Sequence, residues 1–430
     1  MHAGTRAVLV YGLTNRASLP DTSPLSELYD YGRFTAHLEA SESLLPRVVF
    51  DYPVAGLAGA GPLGLTSVRA ILTVTPRGDL TLMLDVEIGP DATTEFVARM
   101  LATTCFRRGE LTVDATPLLD WASAQVDTEC ALEFGRDVHQ MVFPGGALLD
   151  QLHADQLSHP ERLSPAAAQV IYRGTRQIAS GIRIPGGLNN PGQTIVAHGR
   201  GVSVAAGWGV EVETWGDELE NTYVVGVLVL VAALEVVQRV RRAAFASLTT
   251  NSDAMLESTE DARTLVSRLS SELNEMQLDL SFGVEAYIDS VLIPESVVEG
   301  FQSSLRDAVG LDHGLANTSR MLERLQAVIE TRLSTLEAAA GEQQERSARL
   351  MSGLFGAGSL MALPPALLLA FFGLNGREVD EQWSIFDMGH YWLVYLVVWV
   401  PFLVLAGVGV VLQRRIRASS PQLTRSRRRR

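Results

Sequence analysis

LMSGLFGAGSLMALPPALLLAFFGLNG, residues 350–376, decides the architecture: 27 residues pass without Asp, Glu, Arg or Lys. A bilayer core is about 30 Å thick, and about 20 helical residues cross it. A soluble helix of this length would keep a polar stripe for water. This stretch has none, so it reads as a transmembrane helix. After an eleven-residue loop, MGHYWLVYLVVWVPFLVLAGVGVVLQ, residues 388–413, repeats the pattern over 26 residues with His390 its one basic member. The loop, 377–387, carries Glu378, Asp380, Glu381 and Asp387 against Arg377. Beyond the second stretch come Arg414, Arg415, Arg417 and five further arginines. Basic flanks stay on the cytosolic side, so both termini are expected in the cytosol of a plasma-membrane, multi-pass protein, with the loop outside. Trp383, Tyr391 and Trp392 suit an outer interfacial belt.

Immediately upstream, residues 298–350 contain no proline and place Leu315, Leu322, Leu325, Ile329, Leu333 and Leu336 on one apolar stripe. An unbroken helix there would run about 80 Å and would need a partner for its stripe, which points to a homo-oligomer. Residues 253–299 also read as helical, with eleven acids against Arg263 and Arg268, and with Pro294 as a break. Together 251–349 form an expected stalk.

Residues 1–250 have the composition of a soluble domain. Apolar runs at 6–13, 68–75, 80–88, 194–198 and 201–206 read as strands, with a hairpin turn at 76–79. Residues 93–106 have helical spacing, with Asp91 as N-cap. Alternating strands and helices imply an α/β domain. The apolar run 223–237 is about fifteen residues long and is interrupted by Glu235, so it reads as a buried helix rather than a span. Residues 1–20 show no basic segment followed by an apolar one, in keeping with a cytosolic N-terminal domain. Cys105 and Cys130 are too few and too distant for a zinc site or a disulfide framework and read as core residues. Gly59-Ala60-Gly61-Pro62-Leu63-Gly64 matches a phosphate-loop pattern, but Pro62 removes an N–H and no helix pattern follows, so a loop is expected. His153 and His159 have no ligand spacing. No serine, cysteine or paired-carboxylate constellation points to an enzyme.

The formal charge is −14; the tail 414–430 carries eight arginines and no acid, so the other 413 residues carry −22. An acidic body excludes nucleic acid as its partner, since phosphate binding needs spread basic surface. It attracts cations instead, while the basic tail suits anionic lipid or an acidic helix.

Phe372-Gly373-Leu374-Asn375 closes the first charge-free stretch. Its residues, and its address before a short acidic loop and a last span with a basic tail, resemble the aromatic-Gly-Met-Asn signature of the CorA-type magnesium and divalent cation transporters, which include ZntB-like relatives. Pro364 stands eleven residues before Asn375, where that family commonly has proline. The resemblance covers 253–430 in architecture and the first span in motif. It implies an α/β cytosolic domain, a long helical stalk and two C-terminal transmembrane helices, assembled as a homopentamer around a pore lined by the first span. Gly373, Leu374 and Asn375 would form the ion selectivity motif at the outer mouth, holding hydrated Mg2+ on neutral oxygens. Glu378, Asp380 and Glu381 would concentrate cations there. Leu363 and Phe355 match the positions of apolar gates that close by dewetting. Arg414, Arg415 and Arg417 would form a basic ring facing acids such as Glu257, Glu260 and Asp261. Leu374 stands where methionine is usual, Ala366 where a hydroxyl is usual, and the family's Met-Pro-Glu-Leu loop is absent. Arg346 and Arg349 lie near the inner mouth and are expected to snorkel outward. No cofactor is implied beyond the divalent cation itself; regulatory metal ligands stay open, with the acids of 253–299, Asp307 and Asp312 as candidates. The same residues also allow Zn2+, Co2+ or Ni2+ as cargo, a non-conducting membrane sensor or scaffold, and Gly373 to Asn375 as a plain helix C-cap.

Overall fold

Twelve residues with every side chain from Thr5 to Leu13 buried or nearly so make β1 (Thr5–Arg16) the axis of the N-terminal sheet. In this computed structural model the described residues are 4–17, 21–61, 63–126, 131–158, 163–174, 182, 184, 188–189, 194–206, 216–253, 259–285, 287, 293–374, 384, 387–400, 402–404 and 407. β2 (Arg47–Pro53), β4 (Leu65–Val74) and β5 (Asp79–Ile88) lie on one side of β1; β8 (Phe134–Phe143), β10 (Val202–Ala206) and β9 (Ile195–His198) lie on the other. The seven-stranded order is β2-β4-β5-β1-β8-β10-β9, antiparallel except for the β8–β10 pair. A second, small sheet joins β3 (Leu57–Ala58), β6 (Thr112–Val113) and β7 (Thr116–Pro117). The hairpin expected at 76–79 forms: Gly78 takes φ +87°, and a Cβ there would lie 2.9 Å from the Ala17 carbonyl oxygen. Residues 63 and 64 lead into β4 rather than a helix, as the expected loop should; Pro62 lies outside the described residues.

The two faces of β1 bury different partners because side chains alternate along a strand. Ala7, Leu9, Tyr11 and Leu13 join the core that includes Val97, Met100 and Leu101 of α2 (Thr94–Phe106). α1 (Thr35–Ala40), α3 (Leu118–Ala124), α4 (Gly146–Ser158) and α5 (Pro165–Ile171) are the other short helices. The N-cap of α2 is Thr93, whose Oγ1 accepts from Phe96 N at 3.2 Å, and not the expected Asp91. Asp91 sits in the 89–92 turn, where Ala92 N bonds Gly89 O, two residues too early to cap. Cys105 is half-buried rather than a core residue, and Cys130 lies outside the described residues.

On the opposite face lies α6 (Gly216–Asp253), against β1, β5 and β8. By length and composition alone its Gly216–Thr249 part could cross a membrane, but 83% of its most apolar window is buried in the domain. It is a core helix, hydrophobic all round because it is covered all round. Glu235, the interruption in its apolar run, is buried over Gly12 and Gly135 and receives Arg242 Nη2 at 2.7 Å.

The remainder is mostly helical. α7 (Thr259–Leu280) packs along α6 and ends in a π-turn, Ser281–Glu285. There Gly283 lies so close to α6 that a Cβ would stand 3.0 Å from Val236. α8 (Ser296–Val309) stops at Gly310, in the left-handed region at φ +73°, and α9 (Leu311–Leu374) begins directly after it. The single helix expected from 298 is therefore two, since Gly310 adopts a conformation that ends a helix at little cost. The chain divides into two compact units, Met1–Arg332 and Leu333–Arg430. Within the first, Leu322, Leu325 and Ile329 are buried by their own chain. Those three of the six stripe residues are thus covered without a second subunit; Leu315 and Leu336 are half-buried, and Leu333 is 47% exposed.

Candidate functional site

The last 25 residues of α9, 350–374, remain helical through Pro364 and Pro365 and hold no charged side chain. Each proline lacks the N–H that would close a helical bond to residues 360 and 361. At about 100° per residue, positions 355, 366 and 373 fall within about 20° of one another. Pro364 and Leu368 lie roughly opposite, and these are the buried positions. Phe355 is 74% exposed, and Ser359 and Ala366 on its side are exposed as well. Leu363 is exposed too, but about 80° round the helix from Phe355, so the two do not share one line along a straight axis.

Gly373 and Leu374 are the last two residues of α9. Asn375, Glu378, Asp380 and Glu381 lie outside the described residues, as do Arg414, Arg415 and Arg417. A shorter apolar helix follows at Trp392–Val404. Its start is ordered by Asp387, whose Oδ1 accepts from Gly389 N at 3.0 Å. Trp392, Leu396, Trp399 and Leu403 line one side of it, each exposed. An exposed face built from Trp, Leu and Val is rare in water-soluble chains. Arg346 and Arg349 are each 80% exposed and pair one turn back with Glu342 and Glu345, at 3.9 and 2.8 Å.

Ion pairing inside the first unit was not legible in the sequence. The acids of α7 appear there to face only Arg263 and Arg268. Folding brings Arg16, Arg77 and Arg239 to them: Asp279 Oδ1 accepts from Arg16 Nη2 at 2.5 Å and Arg77 Nη2 at 2.8 Å, while Oδ2 accepts from Arg239 at 2.9 Å. Arg239 also pairs with buried Asp79, Arg77 with Glu275, and Ser247 with Glu272. Burial opposes ionisation of Asp279, but the hydrogen bonds from Arg77 and Arg16 and the Arg239 charge outweigh it and hold the carboxyl below its ordinary value. Glu272, Glu275 and Asp279 are thus already partnered. Among the described residues no group of three or more His, Cys, Asp or Glu is arranged to hold a metal ion.

A second polar cluster lies deep in the sheet. Ser203 Oγ sits 2.8 Å from both His139 Nε2 and His198 Nδ1. The hydroxyl can donate to one ring and accept from the other. His139 Nδ1 and His198 Nε2 find no hydrogen-bond partner among the described residues. Burial is the main force pushing both imidazoles down to about 3. Beside β5, Arg6 is gripped by Asp85 through Nε and Nη2 at 3.0 and 2.8 Å.

No protein-family model matches this chain, and neither a curated protein nor a solved structure does.

Proposed function

We propose that this chain is the subunit of a CorA-like divalent cation channel of the plasma membrane, with Mg2+ as its cargo and with residues 350–374 and 388–413 as its two spans. The observation that carries the reading is the charge-free end of α9: it leaves Phe355 and Ala366 bare on the side opposite its covered face, and ends at Gly373-Leu374, which Asn375 follows in the sequence. Bare apolar helices are stable where lipid or neighbouring subunits replace water. The apolar exposed face of Trp392–Val404 supports the same environment. In a symmetric ring of such subunits, Phe355 would narrow the axis and Asn375 would present amide oxygens at the outer end. Magnesium keeps its waters, so neutral oxygens arranged around the axis would select it without trapping it.

The test is uptake into liposomes by the purified full-length chain, with Mg2+, Zn2+, Co2+ and Ni2+ compared. Wild type should conduct, and Asn375→Ala should lose most uptake while eluting as the same assembly. Uptake by Asn375→Ala equal to wild type would remove the pore assignment. A silent wild type with every cation would leave the non-conducting sensor. Preference for Zn2+, Co2+ or Ni2+ would change the cargo and keep the architecture.

A further inference from the structure

We infer that the N-terminal unit carries a binding site for a small phosphorylated anion, in a cavity of about 430 Å³ between the end of β1, the start of β2 and the β4–β5 turn. The inference does not depend on the channel reading, because every residue it uses lies in the first compact unit.

Arg16, Arg47 and Arg77 all line this cavity, and among the described residues of its wall there is no carboxylate. That departs from the rest of a strongly acidic chain. Two of the guanidiniums are held in place from behind. Asp279 Oδ1 accepts Arg16 Nη2 at 2.5 Å and both Nε and Nη2 of Arg77, at 3.0 and 2.8 Å. One oxygen therefore holds both groups side by side, and Arg239, bonded to the other oxygen, Oδ2, fixes the carboxylate in turn. Neither Nη1 donates to any described residue, so the pair keeps four N–H donors uncommitted. The third, Arg47, is anchored through Thr22 and Glu42.

Charge and shape then select the ligand. Arg16, Arg77 and Arg239 meet two buried carboxylates, Asp79 and Asp279, while Arg47 pairs with Glu42, which is 42% exposed. Glu275, which accepts from Arg77 Nη2 at 2.7 Å, is 60% exposed, where solvent screening leaves it little weight. Fixed planar guanidiniums suit tetrahedral oxyanions, which take two N–H donors per group. A volume of this size falls in the range of small-molecule sites, about 300–1,000 Å³, with room for more than one phosphate. A ligand here would bridge β1 and the β4–β5 turn and, through Asp279, reach α7.

The test is calorimetric titration of the full-length protein in detergent with inorganic pyrophosphate at matched ionic strength. One saturable site per chain is expected, weakening as salt is raised. Arg77→Gln should weaken it at least about tenfold, the size expected for losing one charge-assisted contact. Thr22→Glu, which puts a carboxylate into the wall and leaves the Asp279 pairs untouched, should do the same; far-UV circular dichroism checks that both variants fold. Absence of saturable binding by wild type up to about 10 mM would overturn the proposal. Undiminished binding by Thr22→Glu would also overturn it, whether or not Arg77→Gln folds.

Discussion

His139 and His198 meet on one hydroxyl, and their burial has a consequence for pH. Each is almost fully enclosed, and each imidazole is pushed down to about 3 from the ordinary 6.5. The unfolded chain takes up protons on these rings near pH 6.5, whereas the folded chain refuses them. Folded stability should then be complete above pH 6.5 and fall as the pH drops towards 3, by about 1.4 kcal/mol per pH unit for each histidine. Glu220 works the other way: burial lifts its carboxyl to about 7, so its contribution is lost as the pH rises. The histidine part is isolated by His198→Gln, which removes one titrating ring. Urea midpoints between pH 7 and 5 should show about half the wild-type histidine slope in the variant; an identical slope would mean that the rings titrate normally. No sequence signal marks this cluster, because His139, His198 and Ser203 sit on three different strands and only the β8-β10-β9 order unites them.

Helices were legible to the extent that their apolar pattern was local. The run 223–237 announced a buried helix, and α6 is that helix, enclosed against the sheet. Leu230 is fully buried at its centre. Leu230→Ala should cost about 2–5 kcal/mol through lost transfer energy and a residual cavity, read as a lowered urea midpoint with an unchanged slope. A change under about 1 kcal/mol would mean that the site collapses or that α6 is not core. Termini were less legible. Asp91 and Thr93 are both good caps by type, and which one acts depends on the turn Gly89 makes before them. Gly310 likewise splits the expected 298–350 helix, since a lone glycine inside a helical pattern reads as tolerable until its φ is known.

The assembled molecule is where the stalk stripe changes its meaning. Its buried leucines are satisfied within one chain, so they do not drive oligomerisation. The faces left bare are those of residues 350–374 and of Trp392–Val404, and association under the proposed function falls to them. In detergent, light scattering should give a multiple of the 46.6 kDa chain mass, with five copies as the resemblance implies. Replacing Gly353 and Gly356 together by Leu should shift the protein towards smaller species if close helix approach holds the ring. A monomer for wild type would end the central-pore reading and leave the anion site standing.

From the sequence come the two charge-free stretches, the acidic body with its basic tail, the N-terminal strands and the buried helix. These are properties of contiguous residues, and hydropathy, charge and periodicity are read along the chain. Tertiary structure alone decided that Arg16 and Arg77 meet an acid more than two hundred positions away beside Arg239, that two histidines share one serine, and that Leu322, Leu325 and Ile329 face inward. A charge or an apolar side chain has no fixed meaning until its neighbours in space are known, because burial and pairing set its energy and both depend on sheet order and helix docking.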